Sequence, residues 1–311
     1  QATPAASSRL ATPACHLQPP SAMADLFAEA KKCLESGEVE KAMKKAEESL
    51  AKFKASGDTD GTINVIKTLV AAHIAVDKLE DAKIAVKEML AQFKAKGNVA
   101  GQVCMLLATA ELLCADKEAD KALDMVPEIK ALVPSAGARA QEAESQLLNI
   151  QVNANLLKGA PSAAMVAAKE LRAFASSKGD KEGEANAWHA IASVHHMQET
   201  ENEETSTPDD VVQAAEKAMG IFKEIGNKKG EATAQNTIAK AQLRQEKVSQ
   251  GLKSATDALS TFRELGQTRG MVSSLEVIVQ AHMMQDNAKA GLQAANKELS
   301  EIRKSGNLRG E

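Results

Sequence analysis

The sequence is poor in aromatic residues and has no tyrosine. Its 311 residues include six Phe and one Trp, so apolar burial has to come mostly from Ala, Leu, Val, Ile and Met. These residues are typical of closely packed helices, and strands are not expected. The composition therefore favours an all-α fold.

Cysteine and long apolar runs are also scarce. Cys15, Cys33, Cys104 and Cys114 show no Cys-x-x-Cys spacing, and the chain has no Asn-x-Ser/Thr sequon. This usage predicts a reduced, cytoplasmic compartment and offers no framework for zinc. No apolar run approaches the roughly 20 residues that cross a bilayer, so we expect no membrane insertion.

The chain has no large excess of one charge. Its 38 Lys and Arg residues stand against 42 Asp and Glu, which leaves a formal net charge of −4 at pH 7. No cluster of basic residues dominates a face, so the electrostatic footprint of a nucleic-acid-binding protein is missing. We do not expect nucleic acid as a partner.

Signatures of catalysis and metal binding are missing too. The P-loop, nucleophile-elbow, His-Glu-x-x-His and dinucleotide-binding patterns do not occur. His189, His195 and His196 lie close in sequence, but their spacing does not reproduce the i, i+4 pair of a zinc-binding helix. We expect a non-enzymatic protein with no catalytic residues, no metal and no cofactor.

Glycine recurs at a regular interval. The stretch "FKASGDTDG" at residues 53–61 returns as "FKAKGNVAG" at 93–101, "FKEIGNKKG" at 222–230 and "FRELGQTRG" at 262–270. The leading glycines of the full series are Gly57, Gly97, Gly137, Gly179, Gly226, Gly266 and Gly306, at successive spacings of 40, 40, 42, 47, 40 and 40 residues. A fixed period of this length predicts one elongated array of repeats rather than two globular domains.

The repeat pattern divides the chain into three parts. Residues 1–22 contain no Asp or Glu and many Ala, Pro and Ser. An organellar transit peptide, a disordered segment, and non-native translated sequence ahead of a true start at Met23 all stay open for them. Residues 23–306 form the array. We expect residues 307–311 to begin a truncated eighth repeat, as in a fragment of a longer protein.

Each repeat is predicted to be a helical hairpin. Apolar residues recur at helical spacing over residues 63–76 and again over 79–93, with a short turn between them. The first glycine of each pair is expected just past a helix, in the left-handed conformation, and the second in the first turn of the next helix, where it allows close approach. Asp58, Asn98, Asp180 and Asn227 are the expected N-caps. The structural turn glycines are Gly57, Gly61, Gly97, Gly101, Gly179, Gly183, Gly226, Gly230, Gly266 and Gly270.

Small and apolar residues at fixed places in these hairpins resemble the tetratricopeptide repeat (TPR) family. Two units carry the consensus-like residues Leu69, Val70, Ala82 and Val86, and Ile238, Ala239, Gly251, Ala255 and Ala258. The 40-residue period with its Gly-[Asp/Asn]-x-x-Gly turn is similar to the longer variant of spindle-orientation adaptors and kinesin light chains. His73, His195 and His282 stand where the family favours Tyr.

The resemblance covers residues 24–310 and implies an α-solenoid of about seven TPR-like helical hairpins, coiled into a right-handed superhelix. The first helix of each hairpin would line its concave surface. The predicted helices span residues 24–36 and 38–54, 61–76 and 79–95, 101–115 and 118–133, 140–157 and 162–177, 184–198 and 208–224, 231–245 and 247–264, and 271–285 and 287–304.

The same resemblance implies a binding groove on the first helices. The groove positions of the first half are Asn64, Lys67, Ala71, Cys104, Leu107 and Glu111. The groove positions of the second half include Ser193, Met197, Glu276 and Met284. The predicted partner-binding residues are Asn186, His189, His196, Asn236, Lys240, Arg244, Gln280 and Met283. Amide and cationic groups beside Met suit an acidic or amphipathic peptide. The alternative is that these residues form an ordinary solvated face.

Residues 199–210, "ETENEETSTPDD", insert six acidic residues into one hairpin. We expect a mobile acidic loop that ends in a helix start, with Thr207 as N-cap and Pro208 in the first position. A solvated loop, a docking site for a basic partner and an internal competitor for the groove are alternatives.

The sequence predicts a non-enzymatic scaffold or adaptor that binds a peptide or helix of a protein partner in the concave groove. One alternative is the regulatory arm of a larger signalling or catalytic protein. Another is a membrane-trafficking adaptor resembling soluble NSF attachment proteins, which would need a basic membrane-facing stripe. The oligomeric state is left open.

Overall fold

The computed structural model describes residues 21–76, 78–200 and 206–304. Within these ranges the chain is helical and contains no strand, which confirms the predicted all-α class. The predictions for residues 1–20 and 307–311, and for the middle of the acidic insertion at 201–205, lie outside the described residues. No helix in the described ranges has the combined length and apolarity of a membrane span.

Fifteen α-helices form seven hairpins in the described part of the chain. They are α1 (Ser21–Glu35), α2 (Val39–Ser56), α3 (Thr59–Ala75), α4 (Leu79–Ala95), α5 (Val99–Ala115), α6 (Ala119–Asp124), α7 (Val126–Leu132), α8 (Ala140–Leu157), α9 (Pro161–Lys178), α10 (Lys181–Thr200), α11 (Pro208–Glu224), α12 (Lys228–Arg244), α13 (Val248–Glu264), α14 (Thr268–Met284) and α15 (Ala288–Lys304). We call α1, α3, α5, α8, α10, α12 and α14 the A helices, and their hairpin partners the B helices.

The hairpins stack into a solenoid that is curved toward the A helices. Each A helix packs against the A helix of the next hairpin, whereas the described B helices make no comparable contacts with one another. Closer approach on one side bends the stack toward that side, so the A helices line the inner surface. The α-solenoid predicted from the repeat is thereby confirmed.

The core is a chain of local clusters, each shared by neighbouring hairpins. Alanine recurs throughout it, as at Ala82, Ala168, Ala215 and Ala255, which are fully buried. Small side chains let helices approach closely, so a sequence with few aromatic residues still fills its interior at high density. The scarcity of aromatics is therefore a consequence of close helix packing.

The capped turns explain why the A helices begin earlier than predicted. The Asp58 carboxylate accepts a hydrogen bond from the Gly61 amide at 2.9 Å, and the Asn98 side chain accepts one from Gly101 at 2.7 Å. The helix therefore starts directly after the capping residue, and the second glycine lies inside it. The Asp180 and Asn227 side chains accept hydrogen bonds from the Gly183 and Gly230 amides in the same way, as expected for N-caps.

In four of the turns the second glycine lies against an aromatic ring, whereas a Cβ at Gly183 would meet Asp180 and Ala175. A Cβ built at Gly61 would lie 2.3 Å from the Phe53 ring, and one at Gly230 would lie 2.4 Å from the Phe222 ring. Gly101 with Phe93 and Gly270 with Phe262 repeat this arrangement. Each ring comes from the B helix of the preceding hairpin, so the glycine allows the close approach of neighbouring repeats that was predicted.

One predicted helix, over residues 118–133, is wrong. The chain forms α6 as far as Asp124 and restarts as α7 at Val126, with Pro127 in the first turn. Proline lacks an amide hydrogen and clashes with the preceding turn, so it is accommodated at a helix start but not within a helix. Short 3₁₀ turns then lead directly into α8.

The acidic insertion is framed by two helices. Helix α10 continues to Thr200, two residues beyond its predicted end, and α11 begins at Pro208. Thr207 is the N-cap, as predicted: its hydroxyl accepts from the Asp210 amide at 3.3 Å, and its own amide donates to the Asp210 carboxylate at 2.9 Å.

Candidate functional site

The inner surface of the first half is closed by contacts that cross α5. The Arg139 guanidinium at the start of α8 donates to Asp60 at 2.9 Å and to the Asn64 side chain at 3.1 Å, both on α3. Lys67 on α3 forms an ion pair with Glu142 on α8. The predicted groove residues Asn64 and Lys67 are therefore engaged within the protein.

Three more predicted groove positions of the first half are not open. Cys104 and Leu107 on α5 are 5% and 0% exposed, so their assignment to the groove is wrong. Glu111 accepts a hydrogen bond from Gln146 at 2.7 Å, and burial raises the pKa of its carboxyl group. The reason is that α5 packs against both α3 and α8, which covers its inner face.

The second half brings the A helices α10, α12 and α14 side by side. The Asn236 side chain on α12 donates to the Ser273 hydroxyl on α14 at 3.0 Å, and the Lys240 ammonium donates to the same oxygen at 3.3 Å. Asn236 is only 6% exposed, so its side chain is buried against Ser273 and does not face an open groove as predicted. Lys240 is half-buried beside it.

Lys240 differs from the lysine of the first half in having no counterion. Among the described side chains, no carboxylate lies within ion-pair distance of its ammonium, whereas Lys67 is paired with Glu142. Removing a charge from water without an opposite charge costs free energy, and a serine hydroxyl compensates for only part of it. This position therefore favours an anion supplied from outside the chain.

Two histidines on α10 lie near this ammonium. The His189 ring is 3.2 Å from the Thr237 hydroxyl on α12. Burial, with the positive charge of Lys240, lowers the pKa of His189. Burial lowers the pKa of His196 as well, followed by the charges of Arg244 and Lys240. Burial is the larger cause of both shifts, and the charge of Lys240 contributes to each.

One of the three histidines at the predicted Tyr position of the repeat links two segments. His195 contacts the Ser206 hydroxyl at 2.8 Å, so it ties α10 to the residues just ahead of α11. The described residues contain no group of three or more His, Cys, Asp or Glu side chains arranged as metal ligands. His189 and His195 instead have different hydrogen-bond partners, Thr237 and Ser206.

The remaining predicted site residues lie on the same three helices. Asn186 on α10, Arg244 at the end of α12 and Gln280 on α14 are exposed, and Met283 is 58% exposed. Gln280 also borders a shallow concavity of about 380 Å³ lined by Val272, Leu275, Glu276, Val279 and Ala295. The second half thus combines cationic groups, amides and an apolar recess.

Two contributors were missed by sequence reasoning. Ser273 and Thr237 provide the hydroxyls that join α12 to α14 and α10 to α12. Ser273 lies three residues after Gly270, and Thr237 lies seven after Gly230, so both are on A helices. Each is a small polar residue on an A helix. Many solvated positions share this feature, so the sequence did not distinguish these two residues.

Solved structures of helical repeat proteins superpose on this chain at low sequence identity. A Rap protein complexed with competence and sporulation factor gives a TM-score of 0.62 at 11% identity, over 91% of this chain and 77% of that one. BtubC (BKLC) from P. vanneervenii gives 0.57 at 11% identity, over 74% and 92%. A STAND signal transduction ATPase with a tetratricopeptide repeat sensor from Pyrococcus horikoshii gives 0.59 at 14% identity, over 91% of this chain and 43% of that one.

Neither a scan of protein-family models nor a search of curated proteins finds a match. At 11% to 14% identity the structural likeness shows the fold alone. The chain has a TPR-like helical repeat fold, and the specific 40-residue variant stays a prediction.

Proposed function

We propose that this chain is a non-enzymatic protein-interaction module, and that the inner surface of α10, α12 and α14 binds an acidic peptide or amphipathic helix of a partner. The observation that carries the proposal is the half-buried Lys240 ammonium, which donates to Ser273 at 3.3 Å and has no carboxylate partner among the described residues. A carboxylate of the partner would supply the missing charge.

Exposed residues of α10 and α14 favour a peptide over a small anion. Exposed Met283 and the apolar recess on α14 offer surface for side chains, while exposed Asn186 and Gln280 offer amide groups for a main chain. Methionine adapts to side chains of different shape, and grooves lined by helices commonly accept extended or helical segments. The Rap structure, which contains a bound factor, supports the proposal that an array of this shape holds a partner.

The test is affinity capture from a native lysate with the full chain. The charge-reversal pair Lys240→Glu and Arg244→Glu should abolish retention of a groove partner, because two like charges would face its carboxylates. The matched control reverses Lys223 and Lys253, two exposed lysines on the outer B helices α11 and α13. Asn236 is left intact because its burial makes substitution a stability change.

A partner retained by wild type and control but lost from the groove variant would establish the site. An acidic peptide from that partner is then titrated while the emission of Trp188, the single tryptophan, is followed. Trp188 lies between Arg172 and Lys217 and precedes His189, so it reports on α10. Equal retention by all three proteins would overturn the proposal.

A second candidate function is a sensor arm within a larger signalling protein. The observation that favours it is the STAND structure, in which the matching part is 43% of a protein described with a tetratricopeptide repeat sensor. In that case the groove ligand would be a signal for an attached domain. A longer transcript that encodes such a domain would distinguish a sensor arm from a free-standing interaction module. The trafficking-adaptor hypothesis stays a prediction.

A further inference from the structure

Two glycines bring the beginning of the array into contact with its end. Gly37 lies in the turn between α1 and α2, and Gly266 lies between α13 and α14. A Cβ built at Gly37 would lie 2.3 Å from the carbonyl oxygen of Gly266, and one built at Gly266 would lie 2.4 Å from that of Ser36. Each turn therefore occupies the space that a side chain of the other would need.

The left-handed turn alone does not explain these two glycines. Gly37 and Gly57 have nearly the same backbone angle, with φ of 77° and 74°, as do Gly266 and Gly226 with 64° and 72°. Yet a Cβ at Gly57 or Gly226 would have nothing within 4 Å. Conformation accounts for glycine at all four positions, and the contact is an additional feature of Gly37 and Gly266.

Neither glycine amide takes part in the contact between the turns. The Gly37 amide donates to Leu34 and the Gly266 amide donates to Arg263, so both are used within their own turns. Between the two glycines the contact is a reciprocal pair of Cα–H groups that point at the carbonyl oxygens of Gly266 and Ser36. Such contacts are individually weaker than N–H hydrogen bonds.

We propose that Ser36, Gly37 and Gly266 form a latch that reversibly closes the array into a ring. In a solenoid each repeat contacts only its neighbours, so the overall curvature is the sum of small rotations and is easily changed. A contact between the first hairpin and the start of the seventh is what sets the separation of the ends. Because α14 begins two residues after Gly266, opening the latch moves the helix that carries Ser273. The latch itself does not depend on what the groove binds.

The test compares matched glycine substitutions by small-angle X-ray scattering of the full chain. Gly37→Ala and Gly266→Ala place a Cβ against the backbone of the other turn and should shift the radius of gyration and the maximum dimension to larger values. Gly57→Ala and Gly226→Ala introduce similar left-handed strain without that clash, and should keep the wild-type dimensions. Circular dichroism checks that helicity is retained in all four variants.

Equal dimensions for latch and control variants would overturn the proposal. If one latch variant loses helicity, the other and its control still provide the comparison. Wild-type scattering is an independent measurement that needs no substitution: a profile that fits only an array with separated ends would exclude a closed ring as the main state, and a profile that fits the closed array would support it.

Discussion

At the scale of single residues, glycine has two different functions in each repeat turn. The first glycine adopts a left-handed conformation, with φ of 72° at Gly226, which other residues adopt only with strain. The second glycine, Gly230, is inside α12 and leaves room for the Phe222 ring. Phe222 is 3% exposed, so this contact is part of the core between neighbouring hairpins.

The change Gly230→Ala is expected to destabilise the protein although alanine is the better helix former. Displacing the Phe222 ring costs about 1 to 3 kcal/mol, against about 1 kcal/mol gained from helix propensity. The loss should shrink in the double variant with Phe222→Leu, with a coupling energy of about 1 kcal/mol. The matched control is Gly220→Ala in α11, where a Cβ meets nothing within 4 Å and substitution should be stabilising. Urea unfolding followed by circular dichroism measures all four, and a destabilised Gly220→Ala or an additive double variant would contradict this account.

At the scale of the elements, α10 and α12 are coupled through charge. Burial and the charge of Lys240 on α12 lower the pKa of His189 on α10, and the pKa of His196 is lowered by burial, Arg244 and Lys240. The unfolded state has a histidine pKa near 6.5 and binds protons more readily, so protonation favours unfolding. Stability is therefore expected to fall as the pH drops through about 6.5.

The change Lys240→Met should raise the pKa of both His189 and His196, leaving the part of each shift that is due to burial. Titration of the histidine ring resonances by NMR measures this. His73 is the internal control, because burial and the charges of other residues set its lowered pKa. An unchanged pKa at both α10 histidines would mean that Lys240 points away from them. A partner carboxylate at Lys240 should act in the same direction, so peptide binding is expected to be accompanied by proton uptake below about pH 6.5.

At the scale of the whole molecule, the two halves of the inner surface differ. In the first half Arg139, just ahead of α8, and Glu142 on α8 reach across α5 to α3, and this inner face is held by ion pairs and hydrogen bonds. The proline-associated break between α6 and α7 divides the B helix of the third hairpin, and α8 packs against α5. In the second half the Lys240 ammonium donates to Ser273 and has no carboxylate partner among the described residues.

Removing this bridge should loosen only the first half. The Arg139 side chain is 14% exposed, so Arg139→Ala is expected to cost about 1 kcal/mol of local stability and to speed amide exchange in α3 and α8 about fivefold. The control is Lys158→Ala, whose ion pair with Asp120 is exposed on both sides and should contribute little. Hydrogen-exchange mass spectrometry measures amide exchange in both halves in one experiment. Faster exchange across α12 and α14 as well would show that the halves are not independent.

Much of the fold could be predicted from local sequence. The period, the N-caps Asp58, Asn98, Asp180 and Asn227, and the alternation of amphipathic helices depend on neighbours in the chain, so they were visible without coordinates. The break at Met125 was harder to predict, because Pro127 ends one helix yet fits the first turn of another. The helices that carry the candidate site were predicted, but the exposure of their side chains was not, as the buried Asn236 and Cys104 show.

The sequence by itself determined an all-α repeat array, because helix capping and apolar periodicity are short-range properties. Only the tertiary structure decided which inner positions are covered and which are exposed. Lys67 and Lys240 cannot be told apart by local pattern: one meets Glu142 from another hairpin, and the other meets no described carboxylate. The same holds for Gly37 and Gly57, which share a backbone conformation and differ only in whether a distant turn lies against them. Contacts between distant parts of the chain depend on the summed curvature of the hairpins, which no single repeat encodes.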